Sequence, residues 1–287
     1  MFSGGFDPVP YLDQQAGASV YNADDDLQVY IWGTVLSTPA FKREHEVSLA
    51  EGVARLFRAK GWAGMGQLDG AFTCMIITPA ATHVVRDHHG TGPQVYYTQT
   101  HFASTLFALS QQPGFNARPD YGALSLFLTK GYIPVPRSAF QQVEKLGPGH
   151  VLTIASGKRS TNLLPRPSGT FEGMTEEALL QTYERVHREA IQRRIAGHGK
   201  VGILLSGGYD SASNLAALRS CYQGEVHSFS IGFKGDTWSE LPLARILSET
   251  YGTVHHTYEI DGREIAFLPD IVKHLGDPFV EGGLMVN

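Results

Sequence analysis

The residues best suited to chemistry are Ser206-Gly-Gly-Tyr-Asp-Ser211, set between the apolar run Val201-Gly-Ile-Leu-Leu205 and a stretch that reads as a helix from Ser211 to about Ser220. A strand that turns into a helix aims the helix's free N–H groups, and the positive end of its dipole, at the turn. Gly207 and Gly208 offer no side chain to hold off a ligand and are expected to adopt positive φ. The chemistry implied is anion binding, and phosphate fits it well. Ser206 and Ser211 add hydroxyl donors, and Asp210 brings a carboxylate able to hold a metal ion that bridges phosphate oxygens. A turn whose glycines only make a tight corner would need neither the serines nor the aspartate. The segment carries no Walker A pattern, and Gly199-Lys200 stands on the wrong side of the strand for that role. It carries no Gly-x-Gly-x-x-Gly either.

Other reactive side chains read as structural. Cys74 and Cys221 are too few for a disulfide framework and are expected to be reduced thiols. Cys74 shares a strand face with Phe72 and Ile76, which predicts a core position. Cys221 follows the predicted end of a helix, where the dipole disfavours a thiolate. In His88-His89 and His255-His256, strand neighbours point to opposite faces, so neither pair is suited to one metal ion. Asp24-Asp25-Asp26 reads as a solvated turn. Glu240, in the loop-to-helix region after Gly232, is placed to approach the anion-binding turn.

The elements that must position these residues fall into two sets. From Tyr21 to Tyr97, short runs alternate apolar and polar residues, and Leu27–Trp32, Ala71–Ile77 and His83–Arg86 are expected antiparallel strands. Ser48–Lys60 carries Leu49, Val53, Leu56 and Phe57 on one helical face and is expected to end at Gly61. Asp120–Thr129 reads as a second helix, and Leu163–Gly173 as a linker rich in Pro, Gly and Ser. A long helix is expected after Thr175, with Leu179, Leu180, Tyr183, Val186, Ala190 and Ile191 as its apolar stripe and Gly197 as its stop. Val201–Leu205 then reads as a strand buried on both faces of a parallel sheet. Strands at Val226–Ile231 and Val254–Tyr258 alternate with helices at Glu240–Tyr251 and Arg263–Leu275, which predicts an α/β layered domain.

The bulk numbers agree with two domains. At 287 residues each half is long enough to bury its own core. A net charge of −5 argues against sequence-independent nucleic-acid binding, which draws on a basic surplus. No apolar run has the length of a membrane span, and the N-terminus has neither the basic start nor the apolar stretch of a signal peptide. A cytoplasmic protein is expected.

With these residues in view, the chain resembles the asparagine synthetase-like family. Gly202-Ile-Leu-Leu-Ser-Gly-Gly-Tyr-Asp-Ser211 is similar to that family's pyrophosphate loop, Ser-Gly-Gly-x-Asp-Ser. His227–Phe233, Gly252–His256 and Asp277-Pro-Phe279 resemble later family segments, the last of them one that lies beside the acyl substrate. Upstream, Leu68–Phe72, Val85–Asp87 through Tyr96-Tyr97, and Gly131–Pro134 through Leu146–His150 are similar to its glutaminase domain. The resemblance implies an α+β Ntn-hydrolase-like sandwich over residues 1–165, then the first part of an α/β ATP-pyrophosphatase (PP-loop) domain over 174–287. It implies ATP and Mg²⁺ as cofactors, with Ser206, Gly207, Gly208, Asp210 and Ser211 on the pyrophosphate, Asp210 as magnesium ligand, and backbone at Leu205 and Ile231 flanking the adenine.

Two departures shape the functional expectation. The family's glutaminase uses an N-terminal cysteine with its α-amine as base. Here residue 2 is Phe, which keeps Met1 in place and Ser3 from becoming a nucleophile, and Ile31-Trp-Gly-Thr-Val-Leu36 stands where the family has Asn-Gly-Glu. The family's second loop, Ser-Gly-Glu-Gly-x-Asp, is also missing, which suggests a fragment or one part of a split protein. The expected activity is an AMP-forming amide-bond synthetase without glutaminase activity, activating a carboxylate for attack by ammonia or an internal amine, as in β-lactam synthetases and lasso-peptide cyclases. The alternative is a non-catalytic or partner-dependent subunit that keeps a nucleotide pocket. Expected partners are a small-molecule or peptide carboxylate, a separate chain with the rest of the synthetase domain, and a second copy in a homodimer, with neither nucleic acid nor membrane among them.

Overall fold

A computed structural model describes residues 3–5, 18–24, 26–38, 41, 47–166, 169, 171–235 and 239–280. The chain divides into two compact units, Met1–Ser168 with Pro269–Gly282, and Gly169–Leu268 with Gly283–Asn287.

The first unit runs β1 (Ser3–Gly5), β2 (Ser19–Asp24), β3 (Leu27–Leu36), α1 (Leu49–Met65), β4 (Asp69–Ile77), β5 (Thr82–Arg86), β6 (Tyr96–Tyr97), β7 (His101–Ala103), α2 (Leu106–Ser110), α3 (Tyr121–Lys130), β8 (Glu144–Lys145), β9 (His150–Ala155) and β10 (Lys158–Leu163). It holds two antiparallel sheets, one in the order β10-β9-β5-β4-β3-β2 and one in the order β1-β7-β6-β8. The period-two pattern of the sequence explains the layering. Val29, Ile31, Phe72, Cys74 and Ile76 face Val53, Ala54 and Leu56 of α1. The alternate residues Trp32, Met75 and Val84 pack with Tyr97 and Phe102 of the smaller sheet. Tyr96 and Ala103, on that sheet's far side, meet Leu106 and Leu109 of α2. The result is a sandwich, as the resemblance implies.

Local chemistry sets the ends of these elements. The hydroxyl of Ser48 accepts the Glu51 N–H and starts α1. The helix does not stop at Gly61, as expected; that residue makes a kink at φ 54°, ψ −141°, and the turn beyond it buries Met65. Asp87, after β5, is buried and draws a tight turn around itself. It accepts the N–H groups of His89 (3.0 Å), Thr91 (3.2 Å) and Gly92 (2.7 Å). Burial pushes its carboxyl up, but those amides outweigh burial and hold it below the usual carboxylate range.

The second unit contains α4 (Glu176–Ile195), β11 (Val201–Leu204), α5 (Tyr209–Cys221), β12 (Val226–Phe233), α6 (Leu241–Tyr251), β13 (Val254–Ile260) and a 3₁₀ turn at Arg263–Phe267. Its sheet is parallel in the order β11-β12-β13, with Val201 beside Val226 and His227 beside Val254. Two readings of the sequence are corrected here. β11 is an edge strand rather than a strand buried on both faces. Val201, Leu205, Leu215, Leu218 and Ala244 fill the helix side, but Leu204 on the other side is 70% exposed and Phe229 43%. The long helix α4 is capped by Thr175 as expected, yet Leu179, Leu180, Tyr183 and Val186 are exposed, and it reaches the core only near its end, through Ile191 and Ile195. Amphipathic spacing identifies a face but not what covers it.

The helix expected over Arg263–Leu275 divides into the 3₁₀ turn and α7 (Leu268–Leu275). From Pro269 the chain packs with the first unit, although the sequence reading places that stretch within 174–287. The linker expectation fits the break after Ser168; Pro167, Ser168 and Thr170 lie outside the described residues.

Candidate functional site

The site is built where β11 hands the chain to α5. Leu205 is buried, and its backbone is anchored on both sides: its N–H donates to the Phe229 carbonyl (2.8 Å), and its carbonyl accepts from Ser230 Oγ (2.5 Å). The chain then leaves the sheet at its carboxyl edge, where open α/β sheets bind ligands.

The next residues are locked before any ligand arrives. The Ser206 N–H donates to Ser211 Oγ (3.2 Å), and the Gly208 N–H donates to Ser206 Oγ (3.1 Å). The two hydroxyls are hydrogen-bonded to each other at 2.9 Å. The Gly207 N–H donates across the cleft to Glu240 Oε2 (3.1 Å). α5 begins at Tyr209, two residues earlier than expected, and puts Asp210 in its first turn without any side-chain cap. By position, the N–H groups of that first turn have no acceptor within the helix. They are the donors an anion would find.

The glycines serve differently from the expectation. Gly208 sits at φ −82°, ψ 161°, and neither Gly207 nor Gly208 has positive φ. Space is what Gly207 requires: a Cβ there would stand 2.9 Å from Leu243 Cβ and 3.2 Å from Glu240 Cβ. A Cβ on Gly208 would meet only Ser206 Oγ, at 3.3 Å.

Leu205, Ser206, Asp210, Ser211 and Ile231 all line one cleft of about 400 Å³, and Glu240 joins them, as its position suggested. Sequence reasoning missed Phe229 and Asn214 in the same cleft. Both had a signal: Asn214 lies three residues along the helix from Ser211, and Phe229 lies two along the strand from Ile231. Among the described residues no three His, Cys, Asp or Glu side chains are grouped to hold a metal ion. Asp210 and Glu240 are the two carboxylates among the residues that line the cleft.

Cys74 is fully buried, which pushes its thiol up and makes it inert. Cys221 is the last residue of α5, its Sγ 3.3 Å from the Ala217 carbonyl. His255 is hydrogen-bonded to Ser228 Oγ (2.8 Å), while His256 stacks on Phe229 and is hydrogen-bonded to His227 (2.9 Å). His88 is bonded to the Gly66 carbonyl. Asp24 ends β2 and Asp26 lies in a turn; Asp25 is outside the described residues. The segment Ile31–Leu36 is the middle and end of β3, paired along β4 from Cys74 to Asp69. Phe2, and everything after Val280, lie outside the described residues, as does the Ser3 side chain. No described helix is long and apolar enough to cross a membrane.

Comparison with known proteins adds an independent line. Residues 182–284 match the family model of asparagine synthase, and residues 38–163 match that of a glutamine amidotransferase domain. A putative glutamine-hydrolyzing asparagine synthetase of Methanocaldococcus jannaschii is 27% identical, over 68% of this chain and 39% of that protein. The asparagine synthetase of Asparagus officinalis is 22% identical, over 89% of this chain and 42% of that one. The chain thus spans less than half the length of these relatives. A solved structure of glutamine phosphoribosylpyrophosphate amidotransferase from B. subtilis superposes with a TM-score of 0.29 at 10% identity, covering 83% of this chain and 47% of that one.

Proposed function

The chain belongs to the asparagine synthetase-like family, and on that premise we propose that its second unit carries the nucleotide half of an ATP-dependent, AMP-forming amide-bond synthetase. The carrying observation is the convergence of Ser206, Asp210, Ser211 and the first turn of α5 on one cleft at the carboxyl end of β11. In this reading the backbone from Ser206 to Ser211 binds the pyrophosphate portion of ATP, and Leu205 and Ile231 flank the adenine. Asp210 holds Mg²⁺, whose charge, when bound, offsets that of the phosphate oxygens. A carboxylate attacks the α-phosphate and the α–β phosphoanhydride bond breaks, giving an acyl-adenylate and free pyrophosphate; ammonia or an internal amine then displaces AMP to leave the amide. The protein's part is positioning and charge stabilisation. Binding of Mg-ATP by the purified chain, measured calorimetrically, supports the reading; no binding by a folded chain removes it.

Glutaminase activity is absent in this proposal, because the β3 segment Ile31–Leu36 stands in place of the glutamine-holding Asn-Gly-Glu. Incubation with glutamine should release no ammonia above the buffer blank. The open face of the parallel sheet, with Leu204, Phe229 and Phe233 exposed, favours a partner-dependent subunit over a self-sufficient enzyme. A second chain that covers this face should raise ATP-pyrophosphate exchange above that of the present chain measured by itself.

A further inference from the structure

We propose that Glu240 guards the nucleotide cleft, admitting magnesium-complexed nucleotide and turning away free nucleotide and pyrophosphate. The inference rests on the nucleotide reading of the Ser206–Ser211 turn and names a specificity residue for it.

Three observations meet at this side chain. Glu240 is the N-cap residue of α6, yet its carboxylate makes no cap bond to its own helix. It reaches instead to the Gly207 N–H, at 3.1 Å, and occupies a backbone donor that an anion would otherwise take. The reach is built in, because Gly207 lies so close to α6 that a Cβ there would meet both Glu240 and Leu243. Finally, Glu240 and Asp210 line the same cleft, so an entering anion faces two carboxylates.

Charge then decides what enters. A metal-free triphosphate carries several negative charges and must displace Glu240 from Gly207 while staying close to it. Both carboxylates are exposed to solvent, and like charges a few ångströms apart at a protein surface still repel enough to change affinity about tenfold. A divalent cation lowers the ligand's charge and gives both carboxylates an attractive neighbour. The guard therefore costs the magnesium complex little and the bare anion much. No other carboxylate lines this cleft among the described residues.

The test uses the 287-residue chain and its E240Q and E240A variants, with calorimetric titration of Mg-ATP, of ATP in EDTA, and of pyrophosphate in EDTA. Melting temperatures confirm that the variants fold. Both variants should bind metal-free ATP and pyrophosphate about tenfold more tightly than wild type, as expected for loss of one nearby like charge, while Mg-ATP affinity moves less than about threefold. Unchanged metal-free binding in both variants overturns the guard. So does a large loss of Mg-ATP affinity in E240Q, which would make Glu240 a metal ligand. Wild-type chain that binds Mg-ATP with the same magnesium dependence as the variants refutes the guard alone. Chains that bind no nucleotide in any form refute the nucleotide reading with it.

Discussion

The ammonium of Lys145 lies 2.7 Å from Asp277 Oδ2, with both side chains about nine-tenths buried. The Lys145 ammonium also donates to the Ile133 carbonyl (2.6 Å), and Asp277 Oδ1 accepts the Ala139 N–H (2.8 Å). The same stretch is fastened twice more, by the Tyr96 hydroxyl on the Leu275 carbonyl and by the Val280 N–H on the Gly131 carbonyl. Residues 275–280 are thus tied to residues 96–145 within the first unit.

That pair sets the first prediction. Lys145→Met leaves a buried carboxylate without its cation, and should destabilise the first unit by about 3–5 kcal/mol. Lys145→Met combined with Asp277→Leu should return most of that, leaving about 1–2 kcal/mol from the orphaned Ala139 N–H. Urea unfolding of wild type, single and double variants checks the ordering; additive losses would contradict it.

Asp87 makes the first unit sensitive to acid. Its carboxyl is held below the usual range in the folded chain. The stability this lends is fully present above a pH of about 4, the unfolded value. It is lost as pH falls through the lower folded value. Asp87→Asn should cost about 2–3 kcal/mol at neutral pH, because an amide cannot accept the same N–H groups with the same strength. Its melting temperature should then vary less than wild type's between about pH 2 and 5.

Asp210→Asn should separate binding from folding. Asp210 caps nothing, so melting should hardly change. Metal-dependent ATP binding should weaken by about 1–3 kcal/mol through loss of a charge-assisted contact. Equal Mg-ATP affinity in the two proteins would take the metal away from this residue.

The two glycines should respond differently to the same substitution. Gly207→Ala forces α6 away from the turn and should cost about 1–3 kcal/mol of stability. Gly208→Ala meets only a hydroxyl at ordinary φ and should fold normally. Thermal melts of both settle the contrast.

Much of this was legible in the residues. The order of apolar run, glycines, serines and aspartate located the turn, because strand, close approach and helix start each demand particular residue types. The βαβαβ order followed from periodicity alone. The Glu240–Gly207 bond was less accessible: 33 positions separate the two, and only the packing of α6 against the turn brings them together. The glycine conformations were misjudged because glycine is required both by positive φ and by lack of space, and sequence cannot separate the two. α4 shows a related limit: it displays an apolar stripe, but periodicity does not reveal what, if anything, covers it.

The uncovered side of the three-stranded sheet has a thermal consequence. Leu204, Phe229, Phe233 and Tyr258 keep their ordered water until another surface displaces it. Any chain that settles there should bind with a negative heat-capacity change, since apolar burial carries that signature. The driving force for such an association fades on cooling, so a complex formed through this face should loosen in the cold.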